Sequence, residues 1–570
     1  MLLPINIDNL SSYFKPPLGY RFDKGLSTTY SLNLDILLSI PMFLDGALSE
    51  KYAVLENYQA VVFMIEKIRK RFKVYVQKGE IKTSPQATKK ASKLYELLRD
   101  MIEEIPRDTA KSSFHPKLWL LKYVTYNGES VYKLIILSKN LTNSKDLDIA
   151  IVFDGEKVEE AHKDKNNKIY NFVSKTLNDN RFTKDELENI RWQNVDDFEL
   201  EDILFFSPSN DELENIPFLQ NRYLDKDMIV FSPFLSNNIF AKNNKNILVT
   251  REDEIDEQIC QDIYKVNESL YDEDYEDEVL ELFEKDKDAK VKNLINQLHA
   301  KIYIYTKNRK NWLAFGSLNA TNRGFTKNDE VLIILKAPKD FYNQTKKYIE
   351  NEKRKIFVKA NVIKSKDELE KIEKKQKVLD KIDKLKNTFL QNSDILKVNY
   401  KDKKLKANIK SIELNSILMQ ISPVSKVDFK QYSSKLEWNV IESEITGWFR
   451  FLLTLDGYSR EFLVEDKEFQ IDDVYKKAIE KEAMDKSQEY FEANIFALLS
   501  DGNISFSNLV KEHGLESDDT SHCYSSTIDD DIVDLMLDRY ATSKEVYKSV
   551  YKLLSQNKIY KNIIDVLPEV

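Results

Sequence analysis

Two distant segments of the chain carry the same set of chemically useful side chains. Each segment contains a histidine, a lysine two residues later, and a serine and an asparagine that lie two residues apart on a following apolar run. These residues are His115, Lys117, Ser138 and Asn140 in the first segment and His299, Lys301, Ser317 and Asn319 in the second. An imidazole can attack an electrophile or move a proton, while ammonium and amide groups stabilise developing charge on oxygen. The set therefore suits chemistry at a tetrahedral, anionic centre such as phosphorus.

Both segments also end in an acidic residue that leads an apolar run. Asp148 precedes Ile149–Val152, and Glu330 precedes Val331–Ile334. The two histidines lie 184 positions apart, so the repeat has the size of a domain, well above the roughly 20–50 residues of a solenoid repeat. If the two halves pack together, one cleft would contain two imidazoles, two ammonium groups and two amides.

A hairpin must position each set. Asn127-Gly128 separates two runs rich in strand-forming residues, which predicts a two-residue hairpin turn. That turn places His115 opposite Asn140, and a turn centred on Arg309 places His299 opposite Asn319. Side chains two apart on a strand share a face. The sequence therefore predicts that the four residue types of each copy cluster at the end of the hairpin away from its turn.

The surrounding pattern predicts an α/β fold of two similar mixed-sheet halves with the site at their interface, followed by a long helix, a β-rich domain and a helical C-terminal domain. Helical runs at 58–70 and 87–105 alternate with strand-like runs in the first half. The predicted domains are 1–175 and 176–345 for the two halves, 346–392 for a connecting amphipathic helix, 393–468 for the β-rich part and 469–570 for the helical part.

The helix at 346–392 carries apolar residues at helical spacing between leucine 369 and phenylalanine 389. Its charges are of both signs, which favours a connecting or oligomerising role over attachment to a membrane surface. A homo-oligomer is therefore one expectation for this chain. The acidic stretch 252–288 is interpreted as a solvated segment, with an electrostatic gate near the site as the alternative.

Composition narrows the class of protein. The chain has 570 residues and a net charge of −9, and no apolar run long enough to span a bilayer is present. The N-terminus lacks a secretory signal, and two cysteines (Cys260 and Cys523) cannot form a disulfide framework. These features predict a cytoplasmic protein without a membrane partner. The charge argues against a protein that coats nucleic acid, but basic segments at 67–71 and 89–93 could contact phosphates.

The duplicated His-x-Lys and Ser-x-Asn pattern resembles the two signatures of the phospholipase D superfamily, over roughly residues 28–340. The resemblance implies two similar α/β halves and a phosphohistidine intermediate formed without a metal or other cofactor. One of His115 and His299 would be the nucleophile, with His115 favoured, and the other the general acid. The resemblance implies that the lysines and asparagines hold the phosphate and that the serines line the substrate site.

Departures from that pattern indicate which branch of the superfamily the chain resembles. The phospholipase-type motif has an aspartate five residues after its lysine, where this chain has Lys122 and Thr306, and Leu137 replaces a glycine. The pattern is similar to that of tyrosyl-DNA phosphodiesterases and stand-alone nucleases. The family also orients each imidazole with a carboxylate, and Glu330 and Asp148 stand at the matching positions, each predicted to serve the histidine of the opposite half.

The resemblance predicts a metal-independent nuclease that cleaves DNA, or less favourably RNA. Bacterial nucleases of this kind often act in defence against foreign DNA, some with a helicase or another defence protein as partner. A phospholipase or other small phosphodiesterase, and a catalytically silent nucleic-acid-binding or scaffold protein, remain the alternatives. His162, His513 and His522 are predicted to be packed or exposed without a catalytic role, and Trp119 and Trp312 to be core residues.

Overall fold

A computed structural model describes most of the chain. It covers residues 13–44, 58–83, 89–107, 112–142, 148–159, 163–207, 215–254, 262–266, 298–351, 357–360, 366–484 and 533–568, with short gaps at 221–222, 226, 241–245, 393, 415, 472, 534–535, 538, 542–543 and 556–559. The predictions for Cys260, Cys523, His162, His513 and His522, and for most of the acidic stretch 252–288, lie outside these residues.

The first half is built on a seven-stranded mixed sheet, called here the first sheet. The first nine strands of the chain are β1 (Arg21–Thr29), β2 (Leu32–Asn33), β3 (Phe72–Gln77), β4 (Ile81–Lys82), β5 (Ile102–Ile105), β6 (Leu118–Val124), β7 (Ser130–Leu137), β8 (Ala150–Lys157) and β9 (Ile190–Trp192). The first sheet has the order β5-β3-β1-β6-β7-β8-β9, and β2 pairs separately with β4. The strands β1, β3 and β5 are parallel, whereas β6 to β9 are antiparallel.

The second half repeats this sheet. Its strands are β10 (Glu199–Phe206), β11 (Leu219–Gln220), β12 (Tyr223–Leu224), β13 (Ile229–Phe231), β14 (Ile247–Val249), β15 (Asp262–Val266), β16 (Ile302–Lys307), β17 (Lys310–Gly316), β18 (Glu330–Ala337) and β19 (Phe357–Lys359). The order β15-β14-β13-β16-β17-β18 matches β5-β3-β1-β6-β7-β8 strand for strand, with β10 and β19 added at the edges. The predicted fold class, two similar mixed α/β halves, is confirmed. The predicted boundary at residue 175 precedes β9, which pairs with the first sheet.

The hairpin registers differ from the prediction by one residue. Thr125 N donates to Glu129 O at 2.9 Å, so the first hairpin has a three-residue loop that ends at Gly128, with φ of 86°. Lys117 consequently lies opposite Leu137, not Ser138. In the second hairpin the turn is Asn308-Arg309 (φ 53° and 61°), and the same shift results. The predicted pairings of His115 with Asn140 and His299 with Asn319 are therefore wrong.

Helices cover the sheets and link them. They are α1 (Leu34–Leu44), α2 (Tyr58–Ile68), α3 (Lys89–Leu94), α4 (Lys163–Asn171), α5 (Lys184–Glu188), α6 (Asn322–Thr326), α7 (Phe341–Ile349), α8 (Lys366–Gln391), α9 (Asp473–Met484), α10 (Lys544–Ser555) and α11 (Lys561–Ile564). The predicted helical run at 87–105 is wrong at its end: a 3-10 segment follows α3, and residues 102–105 form β5, because they pair with β3 in parallel.

The two halves share one hydrophobic core. Leu26, Leu118 and Ile136 of the first sheet pack in the same buried cluster as Ile302 and Ile333 of the second. Burial of this apolar surface, at roughly 25 cal/mol per Å², holds the sheets face to face. The ends of β6 and β16, where the histidine motifs lie, therefore meet at the interface. Trp119 is fully buried against Phe14 on the other face of the first sheet, which confirms its prediction as a core residue.

The part of the chain called here the C-terminal module (residues 366–484) begins with α8 and continues with seven strands. These are β20 (Leu396–Lys401), β21 (Lys404–Ile409), β22 (Leu418–Pro423), β23 (Lys430–Gln431), β24 (Lys435–Asn439), β25 (Trp448–Leu455) and β26 (Tyr458–Glu465). They form sheets of order β20-β21-β24 and β23-β22-β25-β26 around a core that includes Ile382 and Phe389 of α8.

The C-terminal module packs on the first half. Trp448, Leu463 and Tyr475 belong to the same buried cluster as Trp119 of the first sheet. Arg99 pairs with Glu465, and the Tyr475 hydroxyl donates to Lys93 O at 2.5 Å. Among the residues that the structure describes, no helix combines the length and apolar character needed to cross a membrane.

Candidate active site

The histidine motif of the first half is bonded to the second half through the backbone. Asp329 N donates to Ser113 O at 2.8 Å, and His115 N donates to Asp329 O at 3.0 Å. Residues 115–117 and 299–301 lie just before their strands, outside the regular ladder. These short segments are therefore positioned by contacts between the halves, which hairpin register alone does not describe.

Each imidazole contacts a carboxylate of the opposite half. His115 Nδ1 lies 2.8 Å from Glu330 Oε2, and His299 Nδ1 lies 2.8 Å from Asp148 Oδ1. The side-chain exposures are 12% and 16%, so each histidine is almost buried but keeps some contact with solvent. The pKa of Asp148 is lowered, so its carboxylate only accepts hydrogen bonds, which places the proton of His299 on Nδ1 and leaves its Nε2 lone pair available. The two reciprocal pairs place the matched sets of both halves at one interface.

The two serines contact these carboxylates. Ser138 Oγ donates to Asp148 Oδ1 at 2.8 Å and accepts from Ile149 N at 2.9 Å. Ser317 Oγ donates to Glu330 Oε2 and accepts from Val331 N at 3.0 Å. Both side chains are fully buried. The serines were predicted to line the substrate site; their hydroxyls instead hold the carboxylates in place.

The lysines of the two motifs are fully buried beside the rings. Lys117 Nζ lies 2.9 Å from His115 Nε2, and Lys301 Nζ donates to His299 O at 2.7 Å. Burial lowers the pKa of Lys117 well below its ordinary value, and the charge of Lys301 lowers it further. The two cations repel each other, and the nearby carboxylates Glu330 and Asp148 attract them. A phosphate beside the two ammonium groups would add a further attraction.

The electrostatics of the two halves differ. Burial lowers the pKa of His115 well below its usual value, with further lowering by Lys117 and Lys301; burial and Lys301 lower the pKa of His299 to about 4. Burial raises the pKa of Glu330 to about 8. Burial also acts to raise the pKa of Asp148, but the hydrogen bond and charge of His299 outweigh it, and that pKa is lowered. Asp148 is thus the carboxylate more firmly held as an anion.

The two motif asparagines have buried carboxamide oxygens without a hydrogen-bond partner, Asn140 Oδ1 and Asn319 Oδ1. Buried polar atoms are normally satisfied, so such orphans indicate a place where another group binds. The amide on each of these side chains can donate as well as accept. Both asparagines can therefore contact a ligand in the cleft.

Sequence reasoning missed a hydroxyl that holds each asparagine loop. Thr29 Oγ1 accepts from Leu141 N at 3.1 Å and donates to Ser31 O at 2.9 Å. Ser232 Oγ accepts from Ala320 N at 2.9 Å and donates to Phe234 O at 2.7 Å. The two hydroxyls are equivalent in position, because Thr29 is the last residue of β1 and Ser232 directly follows β13, the matching strand of the second half. Alignment of β1 with β13 would have revealed them, but both residues are common types in variable surroundings.

Asn328 is a third such residue, which no sequence motif includes. Its Nδ2 donates to Glu330 Oε1 at 3.2 Å, and its Oδ1 accepts from Ser113 N at 3.1 Å. The carboxamide thereby connects the carboxylate of the second half to the chain just before His115. No pattern in the sequence distinguishes this asparagine from its polar neighbours.

Two positions where the phospholipase motif would have aspartate lie away from the centre. Lys122 pairs with Glu186 at 2.9 Å, and Thr306 Oγ1 donates to Asn311 Oδ1 at 3.1 Å. Over the described ranges, no three His, Cys, Asp or Glu side chains are grouped so as to hold a metal ion.

Comparison with known proteins identifies one matching family. Residues 240–353 match the family described as "Cardiolipin synthase, PLD-like domain". The chain thus carries a phospholipase D-like domain, and the resemblance noted in its motifs is confirmed. Among curated protein sequences, none matches this chain.

Three solved structures are similar to parts of the fold. A polyphosphate kinase from Porphyromonas gingivalis is 11% identical with a TM-score of 0.30, over 60% of this chain and 43% of that one. A yeast tyrosyl-DNA phosphodiesterase mutant is 10% identical with a TM-score of 0.32, over 57% and 84%. A phosphatidylserine synthase from Haemophilus influenzae is 11% identical with a TM-score of 0.31, over 61% and 84%. The chain thus spans less than half the length of the kinase.

Proposed function

We propose that this protein is a phosphodiesterase that works without a metal ion, a nuclease that cleaves DNA through a covalent phosphohistidine. One observation carries the proposal: the reciprocal pairs His115–Glu330 and His299–Asp148 place two imidazoles around two buried lysines. Lys117 and Lys301 supply positive charge for the non-bridging oxygens, and Asn140 and Asn319 supply amide donors.

The reaction proceeds in two balanced steps. Nε2 of the nucleophilic histidine attacks phosphorus, an N–P bond forms, and the P–O bond to the leaving group breaks while the second histidine gives its proton to the departing oxygen. In the second step that histidine takes a proton from water. The water oxygen then bonds to phosphorus, the N–P bond breaks, and both histidines return to their starting states.

The differences between the halves support His115 as nucleophile and His299 as acid and base. Lys117 contacts the Nε2 atom of His115 at 2.9 Å, which fits an unprotonated nucleophilic nitrogen. Asp148, held as an anion, stabilises the imidazolium form of His299 that a proton donor needs. The carboxylates are oriented by Ser138, Ser317 and Asn328. The asparagine loops are held by Thr29 and Ser232.

We further propose that DNA is the preferred substrate and that the protein acts in the cytoplasm in defence, with a helicase or another protein as partner. The motif resemblance supports these finer points. A polymer also fits the basic segment at 67–71, because phosphate contacts provide most of the affinity for nucleic acid. In that segment Arg69 pairs with Asp100 and Arg71 bonds the backbone of Lys67, so only part of its charge faces solvent.

The first test is a substrate panel in the presence of EDTA. Purified protein is incubated with single-stranded DNA, double-stranded DNA, RNA and phosphatidylcholine vesicles, each with and without the chelator. We expect cleavage of DNA that EDTA does not reduce, because the lysines provide the charge that a divalent cation would otherwise bring. Product analysis by gel and by thin-layer chromatography measures the outcome.

Other outcomes of the panel select the alternatives. Turnover of the lipid without cleavage of any nucleic acid would establish a phospholipase in place of a nuclease. Binding of DNA without cleavage of any substrate would establish a silent binding protein. Loss of all activity with EDTA, restored by Mg²⁺, would contradict the proposed mechanism.

We expect the rate of oligonucleotide cleavage to fall steeply as the pH is raised. The pKa of His299 is about 4 and that of His115 lies well below its usual value, so the free enzyme contains little protonated acid at neutral pH. We expect kcat/KM for an oligonucleotide to rise by up to about tenfold for each unit of pH lowered between about pH 8 and about pH 5. A stopped assay across that range provides the measurement.

The matched control for this profile is bis(4-nitrophenyl) phosphate, whose leaving group departs without a proton. Its kcat/KM should depend much less on pH over the same range, because the first step no longer requires the acid. A flat profile for the oligonucleotide would show that neither histidine donates a proton in the rate-determining step.

A further inference from the structure

An aromatic side chain lies beside the imidazole that the proposed function assigns as nucleophile. The ring centroids of Tyr30 and His115 are 5.5 Å apart, and their planes are tilted by 59°. Aromatic rings attract each other at centroid distances of about 4.5–7 Å, so this distance is that of a packed pair. Tyr30 belongs to neither motif, and it directly follows Thr29, whose hydroxyl holds the first asparagine loop. The tyrosine is therefore a direct neighbour of the nucleophile from outside the motif residues.

Hydrogen bonds to two separate loops fix the turn that carries Tyr30. Leu32 N donates to Glu80 O at 3.0 Å, and Asn33 N donates to Leu141 O at 2.7 Å. The first of these acceptors lies in the loop after β3, and the second lies in the first asparagine loop. The turn cannot move its side chain away from the imidazole without breaking these bonds. The position of the tyrosine ring is therefore defined by the fold.

The C-terminal module contacts one of the two loops to which the turn is bonded. Glu80 Oε1 pairs with Lys386 Nζ of α8 at 2.6 Å, and the two side chains are 12% and 7% exposed. Gly79, at φ of 79°, lies against Leu390 of the same helix, where an added Cβ would meet the leucine at 2.2 Å. This close packing leaves the loop little room to move. The module therefore adds to the rigidity of the turn that carries Tyr30.

The matching turn of the second half has a different residue at the position of the tyrosine. Ser232 makes the same two contacts as Thr29, and the residue that follows it is Pro233. The two halves thus differ at equivalent positions, and the aromatic ring belongs to the half that supplies the nucleophile. A residue that distinguishes the halves in this way can distinguish the tasks of their histidines.

We propose that Tyr30 is a positioning residue for the nucleophile: its ring holds the imidazole of His115 in the orientation for attack and excludes water from it. Attack requires the Nε2 lone pair to point at phosphorus, and a misplacement of about 1 Å can cost about 10²-fold in rate. Glu330 contacts Nδ1 at one edge of the ring, and the packed tyrosine restricts the remaining tilt. The inference rests on the proposed function and deepens it.

The first experiment compares variants of Tyr30 on bis(4-nitrophenyl) phosphate. Its kcat/KM reports formation of the N–P bond, because 4-nitrophenolate leaves without a proton. We expect Tyr30→Ala to lower this value by roughly 10–100-fold, and Tyr30→Phe, which keeps the ring, to retain most of it. Tyr126→Ala is the matched control and should equal wild type, because it removes a 60% exposed tyrosine from the loop between β6 and β7.

The pH profile of the same ester separates positioning from a general loss of structure. Burial is the largest cause that lowers the pKa of His115, followed by the charges of Lys117 and Lys301, while Glu330 contacts its Nδ1. Without the tyrosine ring, water reaches the imidazole and its pKa should rise toward the ordinary value of about 6.5. Because the nucleophile must be unprotonated, kcat/KM of Tyr30→Ala should fall by up to about tenfold per unit of pH below that value. Wild type and Tyr30→Phe should change little down to about pH 5.

A third measurement needs no turnover. Diethyl pyrocarbonate acylates unprotonated imidazoles, and mass spectrometry of the peptides gives the rate for each histidine. We expect Tyr30→Ala to increase the rate at His115, because the ring becomes accessible, and to leave the rate at His299 unchanged in the same sample. Tyr30→Phe should react as wild type at both histidines. Circular dichroism confirms folding, and Tyr30→Leu, which keeps more of the volume without the ring, replaces the alanine variant if that variant does not fold.

Three results would overturn the inference. The first is wild-type kinetics of Tyr30→Ala on the ester, and the second is an equal loss by Tyr30→Ala and Tyr30→Phe, which would assign the effect to the hydroxyl. The third is a loss of activity with the pH profile and the modification rates of wild type. Failure of the proposed function differs from all three, since the wild-type protein would then hydrolyse no phosphodiester, and the modification rates at His115 would still test whether the tyrosine shields the imidazole.

Discussion

His115→Ala is expected to lower turnover by at least about 10³-fold, and His299→Ala by a similar factor, because nucleophile and acid act as one unit. The two variants should nevertheless fail at different steps. With bis(4-nitrophenyl) phosphate, His299→Ala can still form the N–P bond, since 4-nitrophenolate leaves without a proton. Hydrolysis of the N–P bond then lacks the base that activates water. We therefore expect a burst of one equivalent of 4-nitrophenolate, followed by very slow further release of 4-nitrophenolate.

His115→Ala should show neither the burst nor a covalent adduct. Mass spectrometry of the protein after acid-free digestion locates the phosphoryl group, which we expect on the peptide containing residue 115 of the His299→Ala variant. His162→Ala is the matched control, since this histidine belongs to neither motif. If only His115→Ala gave a burst, the two histidines would have the opposite roles. If both variants turned over substrate within tenfold of wild type, the mechanism would be contradicted.

The sequence predicts the duplicated architecture well because its evidence is redundant. Two sets of four residue types recur with the same His-x-Lys and Ser-x-Asn pairs, and each set borders on strand-like runs, so the halves could be matched before any sheet order was known. The order β5-β3-β1-β6-β7-β8 and its counterpart in the second sheet confirm that duplication. By contrast, local turn chemistry misled the register: Gly128 closes a three-residue loop, although Asn127-Gly128 is typical of a two-residue turn.

In the candidate site, too, the contacts between motif residues were predictable, whereas the contacts from the rest of the chain were not. The contacts of His115 with Glu330 and of His299 with Asp148 were predicted from motif positions, and both are present at 2.8 Å. The hydroxyls of Thr29 and Ser232 and the carboxamide of Asn328 were not predicted, because each contacts a segment that is distant in sequence. The packing of the C-terminal module on the first half, through contacts such as that of Arg99 with Glu465, is likewise encoded by no local pattern.

Lys301→Met is expected to separate activity from stability. Removal of one donor from a preorganised anion site costs about 10²–10³-fold in kcat, and methionine keeps the length and apolar stem of lysine. The melting temperature should change little, because the substitution removes both the repulsion between two buried ammonium groups and the attraction of Lys301 for Glu330 and Asp148. Lys117→Met should behave in the same way. Steady-state kinetics and thermal denaturation followed by circular dichroism measure both effects.

Lys122→Met is the matched control for these variants, and its expected result is the opposite. Lys122 lies on β6, the strand that follows the first motif, but it pairs with Glu186 at 2.9 Å and with Asp23 at 3.2 Å, away from the histidines. Loss of this cation leaves Glu186 with fewer partners, so the melting temperature should fall while kcat stays near that of wild type. If Lys301→Met instead lowered stability and left kcat within a few-fold of wild type, Lys301 would support the fold and not the developing charge on phosphate.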